Sequence, residues 1–355
     1  MVTGATGFAG KALVLRLLSD GFSVHALVRN PDRARELESR GASLFTGSII
    51  DPNEIFRAAA GCELLFHCAG ESSLRSAPRV YQWINVAGTE NIIQAARQAG
   101  CKRVIHLSCA DVSLINQDRI HWNENRVLTE QPLGQFARSR LLAEELALSS
   151  SRNSTEITAV RAAWTWGPGD LSMLPGLCRE AGKGGVRLFG SGQNLVATLY
   201  IDNLLHALLL AAESPAAASH AYYVTDGEFL DANEFIGMLC QSLGLGPPRR
   251  GIYALAYAAA WIRERLALLG PWPAEVARRG RSSLFDIGCA VKDLNYEPKV
   301  TVAEGMKRLA EWVAQAGGPA AIARTARVPT SLESVEREAR EAAARALEGE
   351  TEANS

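Results

Sequence analysis

Along the first half of the chain, short apolar runs alternate with longer stretches in which apolar residues recur every three or four positions. The runs are Val24–Val28, Leu64–His67 and Val104–Leu107, each bounded by turn-forming residues. Helical spacing occupies 11–19, 52–60, 81–99 and 136–150. Strands apolar on both faces, alternating with helices, predict a doubly wound α/β fold around a parallel sheet. A further strand is expected at 156–163. Beyond residue 164 the alternation loosens, with loops at Gly167-Pro168-Gly169, 182–185 and Gly190-Ser191-Gly192. Helices are expected at 202–213, 231–243, 252–269 and 302–315. The organisation read from this pattern is a first domain over 1–165 with elements returning near 195–225, a smaller lobe mainly over 166–316, and a tail over 317–355. In the tail, Thr330-x-x-Glu333 has the form of a capping box, and Glu333/Arg337, Glu336/Arg340 and Glu341/Arg345 are i,i+4 pairs. Its apolar stripe is thin, so it reads as a solvated, frayed or disordered helix, with partner binding as the alternative.

Composition narrows the class. The 355 residues suit one large or two modest domains, and 47% hydrophobic residues exclude a disordered chain. With 37 basic and 38 acidic residues there is no footprint of a nucleic-acid binder. Seven scattered cysteines without a Cys-x-x-Cys imply neither a disulfide framework nor a zinc site, so no metal is expected and a reducing cytoplasm fits. The first residues lack the pattern of a signal peptide. The longest apolar run, Ile252 to Ile262, stops at Arg263-Glu264-Arg265, too early to span a bilayer. The 252–269 helix is therefore either packed on the lobe or turned toward a membrane surface or hydrophobic partner. A second copy of the chain is the other macromolecular partner considered.

The chemistry-bearing signal opens the chain. Thr3-Gly4-Ala5-Thr6-Gly7-Phe8-Ala9-Gly10 stands between a strand and a helix. Gly4 permits a tight turn, Gly7 lets backbone N–H groups approach a pyrophosphate, and Gly10 allows close helix packing. This predicts a Rossmann dinucleotide site built by Gly4, Thr6, Gly7, Phe8 and Gly10. The strand before it has only Met1, Val2 and Thr3, where about five residues are usual, so it reads as shortened. Where an acid would hold the adenosine ribose of NAD, the second strand ends in Arg29, with Arg33 nearby. A guanidinium suits a 2′-phosphate, so NADP is expected rather than NAD. Ser48 and Ile49, in Gly47–Asp51, form the expected adenine wall.

These residues, with Phe66-His67-Cys68-Ala69-Gly70, Asn85–Asn91, Gly167–Asp170, Tyr200–Asn203, Tyr222–Gly227 and Leu294–Val300, resemble the extended short-chain dehydrogenase/reductases. Pro247–Arg250, the 252–269 helix and Arg281–Asp286 resemble the 3β-hydroxysteroid dehydrogenase/isomerase-like branch. The resemblance implies a Rossmann NAD(P) domain, Ala69 and Gly70 against the cofactor, and hydride transfer on a secondary alcohol or ketone. It also implies a Tyr that moves the proton, a Lys four residues on that holds the ribose, and a Ser or Thr that orients substrate. Here Phe136 stands at the Tyr position, Arg140 at the Lys position and Cys109 at the hydroxyl position, with Ser108 one residue earlier. No tyrosine lies between 82 and 199, and none has Lys at i+4. Arg140 keeps a charge for the ribose, but Phe136 has no proton to give. His106, His121 and His67 are the available substitutes, His106 and His67 reading more simply as packed histidines.

Trp164, Trp166, Leu174, Leu188 and Phe189 suggest an apolar cleft, and only Arg187 and Arg281 suggest a site for a diphosphate. The leading expectation is an oxidoreductase acting on a steroid-like or isoprenoid alcohol or ketone. A silent cofactor-binding sensor or scaffold and a nucleotide-sugar epimerase or reductase are the alternatives.

Overall fold

Every strand of the main sheet runs parallel, and its order reverses once, beside the first strand. In the computed structural model, which describes residues 1–152, 154–266, 271–325 and 328–353, the strands are β1 (Val2–Thr3), β2 (His25–Val28), β3 (Ser43–Thr46), β4 (Leu64–His67), β5 (Arg103–Cys109), β6 (Glu156–Ala162) and β7 (Ala221–Val224). They lie in the order β3-β2-β1-β4-β5-β6-β7. The crevice at the β1/β4 switch is where such sheets bind ligands. In β1, Val2 and Thr3 pair on both sides, with β2 and β4, and the Met1 amino group donates to the Leu64 carbonyl at 2.8 Å.

Helices cover both faces, as the apolar strands require. α1 (Phe8–Ser19) buries Leu13, Val14 and Leu17 in the same cluster as Leu204, Leu205 and Leu208 of α5 (Ile201–Glu213). The opposite face takes Ile55 of α2 (Pro52–Ala59), Ile92 and Ile93 of α3 (Gly88–Gln98), and Ala147 of α4 (Gln135–Ser149). The helical stretch expected at 81–99 is interrupted by one wide π-type turn over Gln82–Ala87.

The smaller C-terminal lobe carries a four-stranded sheet, Leu230–Asp231, Leu195–Val196, Ser283–Phe285 and Arg119–Trp122 in that order. Its last strand comes from the loop after β5, so the Rossmann half reaches into the lobe. The two halves are also knotted at Asp226. Its carboxylate accepts from the Tyr200 N–H at 2.7 Å, the Thr198 hydroxyl at 2.8 Å, Trp166 Nε1 at 3.2 Å and Asn203 Nδ2 at 2.8 Å. Asn203 also donates to the Val300 carbonyl at 2.8 Å and accepts from the Lys299 and Val300 N–H groups at 2.8 and 2.9 Å. Both amide hydrogens and the amide oxygen are therefore used inside a fully buried site.

The tail departs from expectation. The helix α7 (Leu332–Ala353) is capped by Ser331, whose hydroxyl oxygen accepts from Ser334 N–H at 3.1 Å, rather than by Thr330. Of the expected i,i+4 pairs Glu336/Arg340 forms at 3.8 Å, while Arg345 turns away to Asp51 at 2.8 Å. Val335 is fully buried, so the tail is docked rather than solvated. The expected 252–269 helix is α6 (Tyr253–Arg265), and residues 267–269 lie outside the described residues. Among the described residues no helix is long and apolar enough to cross a membrane.

Replacing Asn203 by Ala should strip Lys299, Val300 and Asp226 of buried partners. At about 1–3 kcal/mol per stranded group, the loss should exceed about 3 kcal/mol in urea unfolding of the whole chain. A change within about 0.5 kcal/mol would show that the knot is dispensable.

Candidate functional site

The loop after β1 is built around missing side chains. A Cβ on Gly10 would sit 2.2 Å from the Gly4 carbonyl oxygen, and one on Gly4, at φ +66°, 2.7 Å from the Ala69 nitrogen. α1 therefore starts flush against the β1 and β4 ends. Gly7 caps it without a side chain, and its first turn holds no acid. Those N–H groups and the helix dipole are left for an anion, so the loop fits a dinucleotide pyrophosphate. Thr6 and Phe8 flank Gly7, and Phe8 with Gly7 and Gly10 lines the cleft described below.

His67 braces this loop from beneath. Its ring nitrogens meet the Thr3 hydroxyl at 2.9 Å and the Thr89 hydroxyl at 3.1 Å, and Thr3 Oγ1 also accepts from the Ala69 N–H at 3.1 Å. Burial, with Arg140 nearby, pushes its pKa down to about 3, so it stays neutral. His106 packs against His67 with ring centroids 5.3 Å apart, also neutral through burial. Both are framework groups. His121 is exposed, at φ 53°, and does not line the cleft.

The two residues that the resemblance placed at the Tyr and Lys positions lie on α4. Phe136 and Arg140 both line the cleft. Arg140 donates to the Leu107 carbonyl, and its Nη1 would lie 2.8 Å from a Cβ on Gly70. It therefore bridges the ends of β4 and β5, above the crevice. The Phe136 ring packs edge-on against Tyr81 at 6.4 Å, with the Arg278 guanidinium 5.9 Å from its centroid. Ser108 also lines the cleft, and its hydroxyl donates to Glu144 at 2.6 Å, Glu144 being held in turn by Arg161. Cys109, one residue on, faces the cleft. Burial and then Asp111 push its thiol up to about 11, so it remains protonated at neutral pH.

Asn85 and Glu71 complete this floor. Asn85, on the wide turn before α3, donates to the Ser139 hydroxyl at 2.9 Å and accepts from the Glu71 N–H at 2.8 Å. The 85–91 motif contained Asn85, but nothing in its spacing assigned it this bridge.

The cleft, about 290 Å³, is more polar than expected. Of the five residues proposed to line it only Trp164 does; Trp166, Leu174, Leu188 and Phe189 are core. Three guanidinium groups, Arg119, Arg140 and Arg278, share it with two carboxylates, Asp111 and Glu71. Arg119 arrives on the strand that pairs with Ser283–Phe285, and Arg278 on the helix Pro273–Gly280. Arg278 pairs with Asp111, while the Nε atoms of Arg119 and Arg278 have no hydrogen-bond partner among the described residues. Arg187 and Arg281 are elsewhere: Arg187 is exposed, and Arg281 packs at 4.5 Å over Tyr253 on an outer hollow. No group of three His, Cys, Asp or Glu residues suited to a metal occurs among the described residues.

Ser48 and Ile49 follow β3, and Arg29 directly follows β2, half exposed. Both Arg29 and Ser48 are approached by Glu338 of α7: Arg29 Nη1 lies 3.9 Å from its carboxylate, and the Ser48 hydroxyl donates to it at 2.6 Å. Glu338 escaped sequence reading because it lies about 300 residues from both.

Comparison with known proteins places this geometry. The chain is similar to the 2-alkyl-3-oxoalkanoate reductases of Shewanella oneidensis (30% identical, covering 87% of this chain and 84% of that protein) and Stenotrophomonas maltophilia (32%, 87% and 97%). Its fold is similar to that of MoeE5 in complex with UDP-glucose and NAD, at 25% identity and a TM-score of 0.70, covering 89% of this chain and 99% of that one. MoeE5 with UDP-glucuronic acid likewise holds NAD. The expectation of NADP, which rested on Arg29, is thereby corrected: these solved relatives hold NAD, and the Arg29 guanidinium already has a carboxylate beside it. The model of the NAD dependent epimerase/dehydratase family matches residues 1–224. The chain belongs to that family, as a Rossmann-fold NAD(P)-binding oxidoreductase of the extended short-chain dehydrogenase/reductase superfamily, with chemistry at a CH–OH or keto carbon.

Proposed function

We propose that the protein interconverts the keto and CH–OH forms of an organic anion with NAD, and that the anion is a 3-oxo carboxylate of the 2-alkyl-3-oxoalkanoate type. The observation that carries this reading is the trio Arg119, Arg140 and Arg278 around a cleft continuous with the phosphate loop. With three cations against two anions, such a wall attracts a carboxylate and gives a neutral steroid nothing to neutralise it. The two reductases at 30% and 32% identity support the same substrate class. Bound NAD supplies the hydride donor or acceptor.

The chain's own residues divide the remaining work. Gly4, Gly7 and Gly10 hold the pyrophosphate. Arg140, fixed by the Leu107 carbonyl, faces the nicotinamide ribose beside Ala69 and Gly70. Arg278, and behind it Arg119, hold the substrate carboxylate. Phe136 closes the pocket where a phenol would move the proton, and Cys109 is the protonated group facing it. Turnover is therefore slow for this scaffold.

A nucleotide-sugar substrate is the second reading. The same arginine trio would suit a diphosphate, and MoeE5, a fold relative at 25% identity, is solved with UDP-glucose. NADH oxidation with 2-alkyl-3-oxoalkanoates, run beside NAD-dependent conversion of UDP-glucose, separates the readings.

Three outcomes are expected. Arg278→Met should raise KM for the keto acid about tenfold to a hundredfold, the worth of a charged hydrogen bond, and leave its methyl ester unaffected. Equal effects on acid and ester would remove Arg278 from carboxylate binding.

The double change Phe136→Tyr/Arg140→Lys should raise kcat by about 10²–10⁴, the usual contribution of a positioned acid. Each single change should do less, because the two side chains act as one unit. Wild type as fast as the double would mean another group, Cys109 first, already moves the proton.

We further propose that α6 rests on a lipid surface. Ile252, Leu255, Trp261 and Ile262 are exposed, and Arg249, Arg250, Arg263 and Arg265 flank them. The purified protein should float with anionic vesicles, and Leu255→Glu/Ile262→Glu should not. Equal flotation of both, or of neither, would exclude this surface.

A further inference from the structure

The adenosine end of the cofactor groove lacks the acid that its place in the fold calls for. β2 ends at Val28, Arg29 follows it, and the next carboxylate along the chain is Asp32, which pairs with Arg35 at 2.6 Å. Yet a carboxylate stands there in space. α7 lays its first turns over the loops that follow β2 and β3, and four sets of contacts fix its position. Val335 is buried in the same cluster as Leu27, Ile49, Ile50 and Ile84. The Thr330 N–H donates to Glu71 at 3.1 Å, and Arg79 meets Glu336 at 3.4 Å. Farther along, Arg345 bridges Asp51 at 2.8 Å and Glu54 at 3.4 Å. Between these anchors Glu338 accepts from Ser48 at 2.6 Å and from the Ser334 hydroxyl at 3.3 Å, with Arg29 3.9 Å away.

We infer that Glu338 is the carboxylate that binds the adenosine ribose hydroxyls, delivered by the C-terminal helix rather than by the end of β2. The inference rests on the NAD reading above and adds to it the residue that sets cofactor choice. A carboxylate offers about four acceptor sites. Ser48 and Ser334 take two, and two remain for a vicinal diol. Arg29 serves as counter-ion to Glu338, which fixes the carboxylate and occupies the charge that would draw a 2′-phosphate. A phosphate placed there would meet Glu338 directly, so the same side chain that favours the diol repels its phosphorylated form. The buried Val335 makes the arrangement conditional on the helix being seated.

The test is titration calorimetry of the full-length protein with NAD⁺ and with NADP⁺, comparing wild type, Glu338→Gln and Val335→Asp, with circular dichroism to verify folding. Glu338→Gln keeps the shape of a largely buried side chain, removes its charge and exchanges one acceptor oxygen for an NH2. It should weaken NAD⁺ about tenfold to a hundredfold, the worth of a charged hydrogen bond, and tighten NADP⁺. Val335→Asp, which unseats the helix without touching Glu338, should shift the ratio in the same direction. An unchanged NAD⁺/NADP⁺ ratio in Glu338→Gln would overturn the inference while leaving NAD binding intact. Tighter NAD⁺ binding in Val335→Asp would also overturn it, because the helix would then be a plug. Wild type binding neither dinucleotide would overturn the NAD reading itself, and this inference with it.

Discussion

The buried carboxylate of Asp226 is the point on which the relation between sheet and lobe turns. It lies just past β7, the last strand of the Rossmann sheet, and collects donors from Trp166, Thr198, Tyr200 and Asn203. Burying a charge costs several kcal/mol unless its oxygens are occupied, and here four donors occupy them. Asn203 extends the hold to the 299–300 backbone. The segments so gathered are those that leave the sheet for the lobe. In the lobe the strand Ser283–Phe285 pairs with Arg119–Trp122, and Arg119, Ser283 and Phe285 line the cleft.

That cleft gathers three arginines where the sequence suggested an apolar lining. Trp166, Leu174, Leu188 and Phe189 were assigned to it by their segment, but a segment that lines a cleft still points half its side chains inward. Trp166 is fully buried against Tyr200, and its N–H is spent on Asp226. The arginines were illegible for the opposite reason. Arg119, Arg140 and Arg278 are scattered over about 160 residues, each beside ordinary loop or helix sequence, and no local spacing joins them. Only the pairing of a β5-loop strand with a lobe strand does so. Arg119 shows the cost of the arrangement, since burial lowers its pKa and its Nε lacks a partner among the described residues.

Local rules carried most of the fold. The alternation of apolar strands and helical spacing marked the parallel sheet, and the glycine spacing marked the phosphate loop, because both depend on neighbours a few residues apart. β1 was legible as a short strand; its two-sided pairing was not. In the site, i,i+4 spacing put Phe136 and Arg140 on one helix face, while their standing at the Tyr and Lys positions was what the family resemblance implied. The choice between Ser108 and Cys109 was readable from neither. It depends on strand phase and on partners distant in sequence, such as Glu144, which takes the Ser108 hydroxyl into the α4–β6 packing.

Arg29 shows most plainly how a residue's chemistry depends on what lies opposite it. Read with its neighbours in sequence, a guanidinium at the end of β2 belongs to a phosphate. Read in space, it faces Glu338. The tail that brings Glu338 there looked like a solvated helix because its apolar stripe is thin. A few residues nonetheless seat it: Val335 is fully buried, a burial worth about 1.5–3 kcal/mol, Leu332 and Ala339 pack beside it, and ion pairs at Asp51, Glu54 and Arg79 flank them. The surroundings of Arg29 are thus set by tertiary contact between the two ends of the chain. A helix rich in exposed charge can dock with little apolar surface when the charges it presents are those its docking site lacks.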